Sequence, residues 1–100
     1  ICYESYTKTY FWFAPARLEI IEREIEDELK DSGWYSFVDL MWRFGMDPIN
    51  DAELGFGVDD YQVGGDVRFE FKTSTTTAPD GRPVLVIDYW KQPHRPLGAA

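Results

Sequence analysis

Few residues in this chain are of types that do chemistry, and their spacing decides most cases. Ser5 and Lys8 reproduce the Ser-x-x-Lys pattern in which an amine helps activate a hydroxyl for acyl transfer. The companion motifs are missing, and in a strand residues three apart point to opposite faces, so the pair reads as solvated strand residues. Cys2 is the single cysteine and His94 the single histidine, too few for a disulfide or for the three or four ligands of an ordinary zinc site. Gln92-Pro-His-Arg-Pro96 holds no acid or nucleophile, so His94 reads as exposed and inert. Gly55-Phe-Gly57 and Gly64-Gly65 lack the Lys-Ser/Thr ending of a phosphate loop, and six carboxylates between Asp47 and Asp66 would repel phosphate. The oxygen donors Asp47, Asn50, Asp51, Glu53, Asp59, Asp60 and Asp66 suit calcium better. Asp47-Pro-Ile-Asn-Asp-Ala-Glu53 nevertheless lacks the alternating donors of a calcium loop, and a solvated loop is the simpler reading. No cofactor is expected, and catalysis would need an acid pair such as Asp47 and Asp59 to converge.

Charge and surplus aromatics remain. The chain carries 18 acidic and 10 basic residues, net −8 with a pI near 4.4, which excludes a nucleic-acid surface over much of the protein. The acidity is polarised: residues 1–66 hold 15 acids against 5 bases, whereas 67–100 hold 3 against 5. On a helix, Glu24, Asp27, Glu28 and Asp31 fall on one flank with no lysine among them, and Asp59 and Asp60 add a second acidic site. Such carboxylates fit a protein partner with a basic surface, or merely keep the helix and loop soluble. Trp34, Tyr35, Trp42 and Trp90 are either interface anchors or, more commonly in a domain of this size, core, and Trp42 joins the carboxylates as a partner-binding candidate.

The elements that must position these groups follow from pattern. One hundred residues with 44% apolar and 17% aromatic content are enough for one folded domain, and no stretch approaches the roughly 18 apolar residues of a membrane span. Residues 1–13, rich in aromatic and β-branched types without Gly or Pro, read as one strand. Pro15 suits a helix start, and Leu18, Ile21, Ile25 and Leu29 make an apolar stripe about 80° wide. Glu19 with Arg23 and Glu26 with Lys30 are spaced as i,i+4 pairs, and Gly33 suits a left-handed cap. A second helix starts at Ser36, with Asp39 as its capping partner, and buries Phe37, Leu40, Met41 and Phe44 before Gly45. Asp47–Asp66 reads as a loop with a helical turn near Asp51–Leu54. Val67-Arg-Phe-Glu-Phe-Lys-Thr73 alternates as a half-buried strand, and the turn Pro79-Asp-Gly81 joins it to Val84–Lys91. The expectation is an α+β fold of order β-α-α-β-β: one long and one short helix on a small antiparallel sheet with a C-terminal hairpin. Residues 1–92 form the domain and 93–100 a flexible tail.

The ordered run of motifs is itself informative. Tyr10-Phe-Trp-Phe13, Pro15 before an acidic helix, Gly33-Trp-Tyr-Ser-Phe-Val-Asp-Leu-Met-Trp-Arg-Phe-Gly-Met46, Leu54-Gly-Phe56 and Asp80-Gly-Arg-Pro83 together resemble a family of short uncharacterised phage and prophage proteins. The resemblance covers residues 3–91 and departs at Phe56, where members carry Trp. It implies a phage setting and transfers no catalytic residue. The functional expectation is a non-catalytic phage or prophage accessory protein in the cytoplasm of the bacterial host, acting by protein–protein binding through acidic surfaces. One concrete form is an anti-CRISPR-like inhibitor of a nucleic-acid-targeting defence; the alternative is a virion or tail-assembly component that joins copies through edge strands and aromatics.

Overall fold

The apolar stripe dictates the first packing step. In the computed structural model, which describes residues 1–96, α1 (Leu18–Ser32) buries Leu18, Ile21, Ile25 and Leu29, as its spacing predicts. Removing a Leu or Ile side chain from water contributes about 1.5–3 kcal/mol, so four on one face outweigh the weak helical propensity of a short segment. A 3-10 turn, Pro15–Arg17, leads into α1, and Gly33 at φ +81° ends it, its N–H donating to the Leu29 carbonyl. After β3 (Trp34–Ser36), α2 (Phe37–Phe44) buries Phe37, Leu40, Met41 and Phe44. Ser36 occupies the cap position with extended backbone, but its hydroxyl makes no capping bond, so the expected pairing with Asp39 does not form.

The α+β class is confirmed, with a mixed rather than antiparallel sheet. The order is β2–β1–β8–β7, built from β1 (Cys2–Glu4), β2 (Thr9–Phe11), β7 (Phe71–Thr77) and β8 (Pro83–Tyr89). β1 runs parallel to β8, which the C-terminal half of the chain reaches only after both helices. Opposed residues share a face: Cys2, Glu4, Phe11, Ile87, Tyr89 and Phe71 point to the core, while Tyr3, Tyr10, Val86 and Lys72 point away. On that outer face Lys72 lies 5.0 Å from the Trp90 ring centre.

The single strand expected over residues 1–13 is a hairpin. The Glu4 carboxylate, fully buried, accepts from the Tyr6 N–H (2.8 Å), the Thr7 N–H (2.6 Å) and the Thr7 hydroxyl (2.6 Å), folding Ser5–Lys8 into a turn without Gly or Pro. Lys8 takes the left-handed conformation, φ +56°, that closes it.

Two small ladders complete the molecule: β3 with β4 (Gly55–Gly57), and β5 (Gln62–Val63) with β6 (Asp66–Val67). Gly55 has no room for a side chain, because a Cβ would stand 2.4 Å from the Tyr35 carbonyl oxygen and 2.8 Å from the Trp34 ring. A single turn closes at Asp51–Leu54, where the Leu54 N–H donates to the Asp51 carbonyl (3.4 Å), and a 3-10 turn, Val58–Tyr61, follows in the stretch expected as loop. Phe37, Phe56, Phe69 and Tyr89 fill the space between helices and sheet, with ring centres 5.3–6.1 Å apart in the pairs Phe37–Phe56, Phe56–Phe69 and Phe56–Tyr89. His94 exchanges two backbone hydrogen bonds with Gly55 (2.8 and 2.9 Å), so the segment expected to fray is held at that point. Leu97–Ala100 of the expected tail lie outside the described residues. Among the described residues no helix is long and apolar enough to cross a membrane.

Candidate functional site

The acidic flank of α1 divides into answered and unanswered carboxylates. Glu24 is ion-paired to Arg43, which ties α1 to α2 beside Trp42, itself 63% exposed. Asp27, Glu28 and Asp31 are exposed, and none is ion-paired among the described residues; Glu28 only accepts from the Ser32 hydroxyl at 3.0 Å. The expected pairs Glu19–Arg23 and Glu26–Lys30 do not form. Glu26 turns instead to the Phe69 N–H (2.8 Å) and Glu22 to the Phe71 N–H (2.7 Å). A backbone donor in a fixed position is a better-defined partner than a mobile surface lysine, whose ordering costs side-chain entropy. Burial pushes the Glu22 carboxyl up, against the lowering effect of the Phe71 N–H, and neighbouring Glu70, Glu19 and Glu26 push it the same way.

The second acidic site stands at the end of the same helix. The Val58 N–H donates to the Gly33 carbonyl (3.0 Å), which docks the turn holding Asp59 and Asp60 against the α1 C-terminus. Asp59 is exposed, whereas Asp60 is engaged by His94, with Nε2 2.5 Å from Oδ2. The other ring nitrogen, Nδ1, lies 2.6 Å from the Arg95 carbonyl oxygen. A carbonyl and a carboxylate can only accept, so this arrangement favours the imidazolium form, in which both nitrogens donate. The Asp60 hydrogen bond, then that to Arg95, raises the His94 pKa above its usual 6.5. The Trp34 ring meets His94 edge-on at 5.5 Å. His94 is therefore neither exposed nor unpartnered, contrary to the expectation from its own segment.

Arg95 extends this clasp, reaching Glu53 (2.9 Å) and Asp51 (3.3 Å). The loop's negative charge is thus partly answered by the chain's own terminal segment. Of the six carboxylates expected to meet a partner, Glu24 and Asp60 are engaged within the molecule, and Asp27, Glu28, Asp31 and Asp59 remain available. Glu4 and Glu22 were not singled out, and Glu26 was read only as the partner of Lys30; the i,i+4 spacing of Glu22 with Glu26, beside the apolar stripe, is the one signal of their shared role.

The clefts separate the residues that a catalytic reading would unite. Asp47 lines a cleft of about 490 Å³ with Thr7, Thr9, Phe11, Met46 and Ile49, whereas Asp59 lines one of about 130 Å³ with Trp34, Asp60 and His94. Among the described residues no three His, Cys, Asp or Glu side chains are placed to share a metal ion. Burial pushes the Cys2 thiol up, away from the thiolate form that reactivity needs. A family model described as a family of unknown function (DUF6353) matches residues 1–97. No curated protein and no solved structure matches the chain.

Proposed function

The chain belongs to this family of unknown function, and from that premise we propose that it is a non-catalytic phage or prophage accessory protein that binds a basic protein surface inside the host bacterium. The phage setting rests on the ordered motifs from Tyr10 to Pro83. The binding reading rests on one observation: Asp27, Glu28 and Asp31 occupy the C-terminal half of α1, with Asp59 docked at its end. The C-terminus of a helix is the negative end of its dipole, where a carboxylate in the last turn, here Asp31 with Asp59 docked beyond it, destabilises by a few tenths of a kcal/mol. Solubility alone would be served as well by the same charges at the other end. A partner's Lys and Arg side chains would offset that cost, steer encounter and weaken their hold as salt rises. A host effector that normally grips nucleic acid presents such a surface, which gives the anti-CRISPR-like form of the proposal.

The test uses the full chain as bait in lysates of phage-infected or lysogenic cells. A nucleic-acid-targeting effector retained at low salt, released at high salt and lost from the combined variant Asp27→Asn, Glu28→Gln, Asp31→Asn, Asp59→Asn supports the proposal. Equal retention by that variant overturns it.

A further inference from the structure

One edge of the main sheet is covered only in part. β7 ends the sheet, and its hydrogen-bonding alternation can be read from its neighbours. The Ala78 N–H donates to the Arg82 carbonyl (2.8 Å), and Val86 and Asp88 oppose Ser74 and Lys72. On β8, Leu85 and Ile87 spend their bonds on the other side, with Ile1 and Ser5. Even-numbered residues of β7 therefore face β8, and odd-numbered residues face outward. The Phe69 and Phe71 N–H groups confirm this, because they point to Glu26 and Glu22 on α1.

Those two glutamates act as a substitute for a neighbouring strand. Four residues of helix rise about 6.0 Å and two of strand about 6.6 Å, so carboxylates at i and i+4 match alternate amides of an edge. The next matching helix position toward Thr73 is Leu18, where α1 begins. The cover runs out there. Thr73, Thr75 and Thr77 keep their outward N–H and C=O groups unbonded among the described residues, and every residue from Lys72 to Thr77 is exposed. Long exposed edges without Pro, bulge or inward charge are templates for another strand.

We propose that this edge pairs with the same edge of a second copy, antiparallel about Thr75, to make a continuous eight-stranded sheet. The occupant follows from self-complementarity. Centring on Thr75 sets Thr73 opposite Thr77 of the second copy and aligns all three outward residues, about six backbone hydrogen bonds at two per opposed pair. Threonine pairs are favourable cross-strand neighbours. The one charge on the strand, Lys72, falls opposite Ala78, with the two lysines about 20 Å apart at 3.3 Å per residue. An interface of this length is smaller than a stable dimer requires, so association is weak and reversible. None of the carboxylates in the proposed binding surface takes part, and the two proposals stand or fall separately.

Sedimentation of the full chain from 10 μM to 1 mM tests the pairing, with amide hydrogen exchange read at both ends of the range. The expected result is a concentration-dependent dimer with slowed exchange at Thr73, Thr75 and Thr77. Thr75→Pro removes an N–H that β8 does not use, so the monomer should stay folded by circular dichroism while the Kd rises about tenfold or more. Thr75→Lys and Thr75→Glu place like charges opposite each other; each alone should weaken the dimer, and an equimolar mixture should restore it. Absence of dimer at 1 mM with free exchange at the three amides, or a dimer that the mixed charges do not rescue, overturns the proposal. The first outcome would leave the edge to an extended segment of a different protein.

Discussion

Glu4 and the Asp27–Asp31 flank of α1 carry the same functional group and stand at opposite extremes. Glu4 is fully buried and takes four hydrogen bonds, the fourth from the Tyr89 hydroxyl at 2.7 Å, which joins the first hairpin to the end of β8. Asp27, Glu28 and Asp31 lie in water with no ion-pair partner among the described residues. Glu22 and Glu26 fall between, half-buried on edge amides. The difference teaches that donors within reach, rather than acidity, decide whether a carboxylate builds the fold or is left for a partner. Burial and the adjacent Glu4 charge hold the Tyr89 hydroxyl well above its ordinary value, so it remains the donor of that pair at any ordinary pH.

Removing the buried member should break the contrast most severely. Glu4→Ala strands two amides and two hydroxyls, and is expected to lower stability by about 3 kcal/mol in urea unfolding. The intermediate pair comes next. Glu22→Ala and Glu26→Ala should each cost about 1 kcal/mol and speed exchange of the Phe71 and Phe69 amides respectively, with Glu→Gln milder because one acceptor is kept.

A smaller and pH-dependent effect belongs to the His94–Asp60 clasp. The folded pKa of His94 lies above its unfolded value, so its contribution is complete below about pH 6.5 and lost as pH rises through the raised value. Stability of wild type relative to His94→Asn should decline across that window, and amide exchange at Gly55 should quicken with it. The smallest effect carries the opposite sign. Replacing Asp27, Glu28 and Asp31 by their amides should leave stability unchanged or raised by a few tenths of a kcal/mol, read as the unfolding midpoint. A destabilisation of 1 kcal/mol or more there would mean that the flank, like Glu4, is part of the architecture.

Much of the local structure was legible in the chain. The two apolar stripes, the glycines that end both helices and the turn at Gly81 depend on residues within a few positions of one another. Even the alternation of Val67, Phe69 and Phe71 predicted burial correctly, although the regular strand starts only at Phe71, where pairing with Tyr89 of β8 begins, and Val67 belongs instead to β6. The turn at Ser5–Lys8 was not legible, since a side-chain carboxylate supplies what Gly or Pro would normally announce. Nor was the engagement of His94, whose acid lies 34 positions away in sequence.

The amino-acid sequence by itself determined the α+β class, the buried faces of both helices and the separation of an acidic two-thirds from a mildly basic C-terminal third. Tertiary structure alone decided that β1 lies parallel to β8, that Glu4 goes inside, and that the terminal segment answers Asp51, Glu53 and Asp60 while the α1 flank goes unanswered. The physical reason is the range of the interactions. Periodicity and caps act within a turn or two of chain, whereas each of these decisions is a meeting of groups that only the folded core brings within hydrogen-bonding distance.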